Sequence, residues 1–207
     1  MRDDSVAPHP VRWQPAPVAR ARRGGESVAV DLLFVARPGR RSPFEREDDF
    51  FWGALCEAGL TRGVRGPAQK SALAADGIAL ATLEIPRMPR GELDVDAALE
   101  RSRETLATRV SELERAIARQ QPRIVAFLGM SLYAAAVGGR VDPTDLEDQE
   151  SEGATDRSAQ TFRARARFAE AIAVALPVPS RFTPESLVLS RYRDLAALRV
   201  ELTEKAT

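Results

Sequence analysis

The residues best suited to chemistry stand close together in the stretch FVARPGRRSPFEREDDFFW, Phe34 to Trp52. An apolar segment ends there in Arg-Pro-Gly, and a group of carboxylates precedes an aromatic pair. A carboxylate can act as a general base that activates water, whereas a guanidinium only donates hydrogen bonds. The opposing interpretation is a solvated helix start, because acids stabilise the first turn of a helix. The candidate acids are Glu45, Glu47, Asp48 and Asp49.

Nucleophilic and metal chemistry find little support elsewhere in the chain. Ser180 lies in a turn, PVPSRF, but the one histidine, His9, falls in the N-terminal segment, so a hydrolase triad is not supported. One cysteine, Cys56, excludes an intramolecular disulfide and, with a single histidine, leaves no cluster of metal ligands. The sequence therefore predicts neither a metal nor a cofactor.

The elements that must position these residues alternate between strands and helices. Short apolar runs closed by turns are typical of buried parallel strands, and periodic amphipathic stretches between them predict helices. This order predicts an α/β fold with three layers, α/β/α, around a mainly parallel central sheet. Ligands of such sheets bind at the carboxyl ends of the strands. The predicted strands cover 28–36, 77–86, 122–129 and 171–177, with a half-exposed strand at 161–168.

Smaller features complete the fold prediction. Thr183 is a candidate N-cap of the last helix, with Pro184 at its first helical position. Tyr133 and Tyr192 are expected to pack with their hydroxyl groups at the surface.

Length and charge limit the organisation of the chain. Its 207 residues, 44% of them hydrophobic, suit one domain, predicted over 27–207. Residues 1–26, rich in Pro and Arg, predict a flexible arm, and 142–156 an acidic loop. With 30 basic and 30 acidic residues, no global field attracts polyanions, so any such site must be local. The absence of a signal-like or membrane-spanning run predicts a cytoplasmic protein without a membrane partner.

Four fragments, in order, carry a resemblance to a known family. They are VARPG, PFEREDDFFWGALCEAGL, QPRIVAFLGMSLY and LPVPSR. In this order, over roughly 28–200, the chain resembles the mismatch-specific uracil/thymine DNA glycosylases of the uracil-DNA glycosylase superfamily. The resemblance implies that fold, a DNA partner and recognition of a damaged or deaminated base in base-excision repair.

The resemblance also implies roles for individual residues. Enzymes that act on a base take it out of the stack into a pocket. Phe44 aligns with the aromatic residue that stacks on the flipped base; the alternative is a core phenylalanine. Arg37, Pro38 and Gly39 align with the first motif, which lines the substrate pocket. The Pro-Ser-Gly turn of the second motif enters the duplex and fills the gap left by the base, and Pro179-Ser180 matches it.

The sequence departs from the family at the positions that do the chemistry. Arg37 replaces the Asn that positions water, Val178 replaces the Asn of the second motif, and Arg181 replaces the Gly after Ser180. Arginine cannot accept a hydrogen bond from water, and valine forms none. The loop between Gly39 and Pro43 is also shorter than in the family.

Three interpretations follow from these departures. In the first, the protein is an active glycosylase whose general base is Asp49, which aligns with an Asn of the family, or otherwise Asp48. In the second, hydrolysis is lost and nucleic-acid binding remains, with phosphates contacted by Arg37, Arg40, Arg41 and Arg181. The protein is expected to be a monomer. In the third, the ligand is not a nucleic acid. The predicted DNA-binding residues are Arg40, Arg41, Pro179, Ser180, Arg181 and Phe182.

Overall fold

The computed structural model gives the fold of most of the predicted domain. Two strands of two residues, β1 (Arg22–Arg23) and β2 (Glu26–Ser27), pair antiparallel before it. Most of the predicted arm and the whole predicted acidic loop lie outside the described residues. The described residues are 22–23, 26–27, 29–39, 42–47, 50–86, 95–138, 165–180 and 182–205.

A five-stranded sheet forms the centre of the fold, in the order β4-β3-β5-β7-β6. Four strands are parallel, and β6 pairs antiparallel with β7 at one edge. Every residue of β3 and β5 is buried, as expected of apolar runs that helices cover on both faces. The strands are β3 (Leu32–Ala36), β4 (Ile78–Thr82), β5 (Ile124–Leu128), β6 (Arg165–Phe168) and β7 (Ala171–Leu176).

Helices lie on both faces, so the predicted α/β class and mainly parallel sheet are confirmed. They are α1 (Phe50–Glu57), a 3-10 helix (Pro67–Asp76), α2 (Val95–Gln120), α3 (Met130–Val137) and α4 (Glu185–Glu204). The sequence does not predict the 3-10 helix. The predicted N-cap at Thr183 and the predicted first helical position at Pro184 are both wrong by one residue, because Pro184 is itself the N-cap. Its carbonyl accepts the first bonds of α4, from the amides of Leu187 and Val188 at 3.1 and 3.2 Å.

Two apolar clusters fill the layers. The first joins α1, the 3-10 helix and α4 to the sheet through stacked and edge-on contacts among Phe34, Phe51 and Tyr192. The second joins α2 and α3 to the opposite face, where Phe127 and Tyr133 meet edge to face. The prediction of surface hydroxyls on Tyr133 and Tyr192 is therefore wrong, since both side chains are buried.

An ion-pair network closes the amino edge of the sheet. The Arg199 guanidinium donates to both carboxylate oxygens of Asp31, at 2.9 and 2.8 Å, and to the carbonyls of Leu60 and Asp76. Gly77 lies against this pair with φ +72°, where a Cβ atom would approach both side chains to 2.7 Å. These contacts fasten α4 and the 3-10 helix to the start of β3.

None of the described helices is long and apolar enough to cross a membrane.

Candidate functional site

The carboxyl edge of the sheet brings together the turns after β3, β5 and β7, which are neighbouring strands. The chain leaves β3 toward β4 on one side and leaves β5 toward β7 on the other. Connections therefore diverge between β3 and β5, and the crevice at such a switch point is the usual ligand site of an open α/β sheet. The sequence predicts a role for the turns after β3 and β7 but not for the turn after β5.

Arg37 spans this crevice. It is the first residue after β3, its side chain is exposed, and its Nη2 donates to Ser131 Oγ at 3.0 Å. Ser131 lies in the first turn of α3, so the contact joins the end of β3 to the helix that follows β5. The guanidinium is therefore held at the edge with donor capacity beyond the one bond to serine.

The turn after β5 packs directly on the turn after β7. The amide of Gly129 donates to the carbonyl of Leu176 at 2.8 Å. Gly129 has φ +107°, and a Cβ atom there would lie 3.1 Å from Val178 Cγ2. The positive φ favours glycine here, because residues with a side chain rarely adopt it, and an added methyl group would also press on the valine.

The turn after β7 is held by its own hydroxyl groups. Thr183 Oγ1 donates to the carbonyl of Val178 at 2.8 Å and lies 3.0 Å from Ser180 Oγ. Ser180 Oγ accepts a hydrogen bond from the amide of Phe182 at 3.3 Å. Pro179 is buried beneath the turn and Ser180 is exposed. Such side-chain bonds to local backbone order a turn that would otherwise sample several conformations.

Phe182 projects from this ordered turn with 81% of its surface exposed. Among the described residues it is the one exposed aromatic side chain. Val178, 37% exposed, lies in the same turn. An exposed aromatic ring beside an exposed valine gives this turn a small apolar surface at the carboxyl edge of the sheet.

Phe44 occupies a different environment from the one that base stacking requires. Its side chain is 3% exposed and packs at 5.3 Å, centroid to centroid, against Phe51 of α1. Ser42, two residues before Phe44, is also buried. The Ser42 amide donates to the carbonyl of Gly39 at 2.8 Å. The ring is thus part of the first apolar cluster, as the alternative of a core phenylalanine expects.

The candidate acids are only partly described. Glu45 pairs with Lys70, Nζ to Oε1, at 2.5 Å, and Glu47 is exposed. Asp48 and Asp49 lie outside the described residues, as do three of the predicted DNA-binding arginines, Arg40, Arg41 and Arg181. Pro38 and Gly39 are exposed next to Arg37, and Gly39 has φ +103°.

The sequence analysis does not name Gly129 and Ser131 as residues of the candidate site. The signal was present in LGMS, where one glycine separates a buried strand from a helix with a serine in its first turn, a form that many ligand-binding turns of α/β sheets share. The described residues contain no group of three His, Cys, Asp or Glu side chains that could hold a metal ion.

Comparison with known proteins adds no family to this geometry. No protein-family model matches the chain, and no curated protein sequence matches it significantly. The resemblance to uracil-DNA glycosylases therefore depends on the four fragments quoted above.

Proposed function

We propose that the protein binds DNA at the carboxyl edge of its sheet and recognises a damaged or deaminated base there, as a divergent protein with a uracil-DNA glycosylase-like fold. The turns that resemble the two family motifs lie at this one edge. The turn from Gly129 to Ser131 joins them, through the bond from Arg37 to Ser131 on one side and the bond from the Gly129 amide to the Leu176 carbonyl on the other.

The observation that carries the proposal is Phe182, 81% exposed on the ordered turn after β7. Proteins that unstack a base insert an apolar side chain in its place, and aromatic side chains also stack on bases of any sequence. Arg37 on the same edge supplies a positive charge and hydrogen-bond donors suited to phosphate or to a base edge.

Binding without excision has the stronger support from the geometry. The guanidinium at position 37 has only hydrogen-bond donors and donates to Ser131, so it cannot position a water molecule by accepting its hydrogen bond. Val178 places an apolar methyl group near Gly129 and offers no side-chain hydrogen bond. The described residues that align with the family's chemistry thus contribute donors and apolar surface but no base.

Excision by Asp49 or Asp48 is the second candidate, and the path of the chain favours it. The Ser42 amide donates to the carbonyl of Gly39 at 2.8 Å, and Trp52 Nε1 donates to the carbonyl of Arg46 at 3.1 Å. In the sequence, the two acids stand between this described segment and α1. A carboxylate there would activate water and stabilise the cationic sugar.

A paired assay separates these candidates. Oligonucleotides carrying uracil, hypoxanthine or xanthine are incubated with the protein, treated with alkali to reveal abasic sites, and titrated for binding in low and high salt. Salt-sensitive binding without strand breaks selects the binding protein. Breaks that disappear in Asp49→Ala or Asp48→Ala select the enzyme. Lack of binding to any oligonucleotide at low salt rejects both.

A further inference from the structure

We infer that this edge is built for nucleic acid that is already single-stranded, with Phe182 as a platform on which an unpaired base stacks. The inference rests on the proposed function and narrows its substrate class. It follows from the contrast between two phenylalanines: Phe182 is exposed and Phe44 is enclosed.

Proteins that take a base out of a duplex use two kinds of contact. One fills the gap in the stack, and the other holds the flipped base in a pocket and offsets the cost of unpairing and unstacking it. Phe182 can serve as the first contact. Phe44, which aligns with the second, is 3% exposed and packs against Phe51 at 5.3 Å, so its ring offers no face to a base.

The affinity gained by stacking one base on Phe182 is too small to open a duplex by itself. One base stacked on an aromatic side chain strengthens binding by about 5- to 150-fold. The cost of taking one base out of a paired stack is of the same order. For a strand whose bases are already unpaired, the full stacking free energy strengthens binding. For a duplex, the cost of unpairing and unstacking the base offsets it.

The ordered turn increases this gain for a single strand. The bonds from the Phe182 amide to Ser180 Oγ and from Thr183 Oγ1 to the carbonyl of Val178 fix the backbone before any ligand arrives. A turn whose backbone is ordered before binding loses less conformational entropy when the ligand binds. Arg37, on the same edge, can neutralise a phosphate of the strand.

The test compares a fluorescently labelled oligothymidylate with the same oligonucleotide annealed to its complement, at one low salt concentration. The variants are Phe182→Ala, the aromatic replacement Phe182→Trp, and Val200→Ala as a control at a valine that is 57% exposed on α4. We expect the single strand to bind more tightly than the duplex. Phe182→Ala should weaken that binding by about 5- to 150-fold, while Phe182→Trp and Val200→Ala keep it.

The outcomes distinguish this inference from the proposed function. Duplex binding as tight as single-strand binding, with an equal loss in Phe182→Ala, overturns the single-strand preference and leaves DNA binding at this edge in place. Single-strand binding that Phe182→Ala leaves unchanged overturns the platform. Failure to bind either oligonucleotide overturns both.

Discussion

The Arg37 guanidinium donates to Ser131 Oγ at 3.0 Å across the gap between β3 and β5, where the connections of the sheet diverge. This one bond joins the turn after β3 to the turn after β5. It places a guanidinium group at the position where α/β sheets bind their ligands.

Removing that cation should change the salt dependence of DNA binding. We expect Arg37→Met to weaken binding equally across sequences and to reduce the slope of log affinity against log salt by about one, the value for one phosphate contact. Salt titrations by fluorescence anisotropy measure this slope. Arg103→Met, on the exposed face of α2, should leave it unchanged, and an unaltered slope in Arg37→Met would remove phosphate contact from the role of this residue.

Gly129 should be intolerant of a side chain. The positive φ and the contact with Val178 Cγ2 predict that Gly129→Ala lowers the free energy of unfolding by about 1–3 kcal/mol. The control is Gly53→Ala in α1, where nothing lies within 4 Å of the new methyl group and a gain of about 0.5–1 kcal/mol is expected. Urea unfolding measures both, and equal effects would refute the assigned backbone strain.

Arg199 should contribute to stability without contributing to DNA binding. Its loss in Arg199→Met leaves Asp31 and two carbonyls without their donor, which should cost about 1–3 kcal/mol because the group is partly buried. Lys205→Met removes a solvent-exposed pair with Glu201 and should cost about 0–1 kcal/mol. Since the network lies at the amino edge, a loss of DNA affinity in folded Arg199→Met would contradict the division of roles between the two edges.

Tyr133 should make stability fall at alkaline pH. Burial raises its pKa above 10.0, so the folded state holds the phenolic proton more tightly than the unfolded state does. The stability from this group is complete below pH 10.0 and is lost as the pH rises through the folded-state pKa.

Tyr133→Phe tests this sign. Its hydroxyl is buried without a hydrogen-bond partner among the described residues, so the variant should be as stable as the parent at neutral pH or more stable by up to about 1 kcal/mol. The free energy of unfolding, measured from neutral to alkaline pH, should then fall less steeply with pH for the variant than for the parent. Parallel plots of the free energy of unfolding against pH for the two proteins would show that Tyr133 does not ionise in this range.

The sequence predicts the sheet well because its strands are continuous apolar runs. Leu32–Ala36 and Ile124–Leu128 lie inside the runs that predict them, with every residue buried. It fails at the 3-10 helix, Pro67–Asp76, which has a weak apolar pattern and buries only Leu73 within its span. Such a segment is fixed by its tertiary contacts, and periodicity does not report those contacts.

The site is predicted less completely than the sheet. Turn composition correctly picks out the segments after β3 and β7, but it does not show that β5 lies between them, since strand order is a property of the folded sheet. Phe44 illustrates a second limit. Spacing aligns it with a base-stacking residue, yet its contact with Phe51 depends on how α1 packs, which no local pattern records.

The central claim, that nucleic acid binds at the carboxyl edge of the sheet, is tested most directly by photocrosslinking. An oligonucleotide containing iodouracil is bound to the protein at low salt and irradiated, and the crosslinked peptides are mapped by mass spectrometry. Because iodouracil reacts with aromatic side chains that stack on it, we predict crosslinking to Phe182 and its loss in Phe182→Ala. Crosslinks confined to other surfaces, such as the outer face of α2, would contradict the claim.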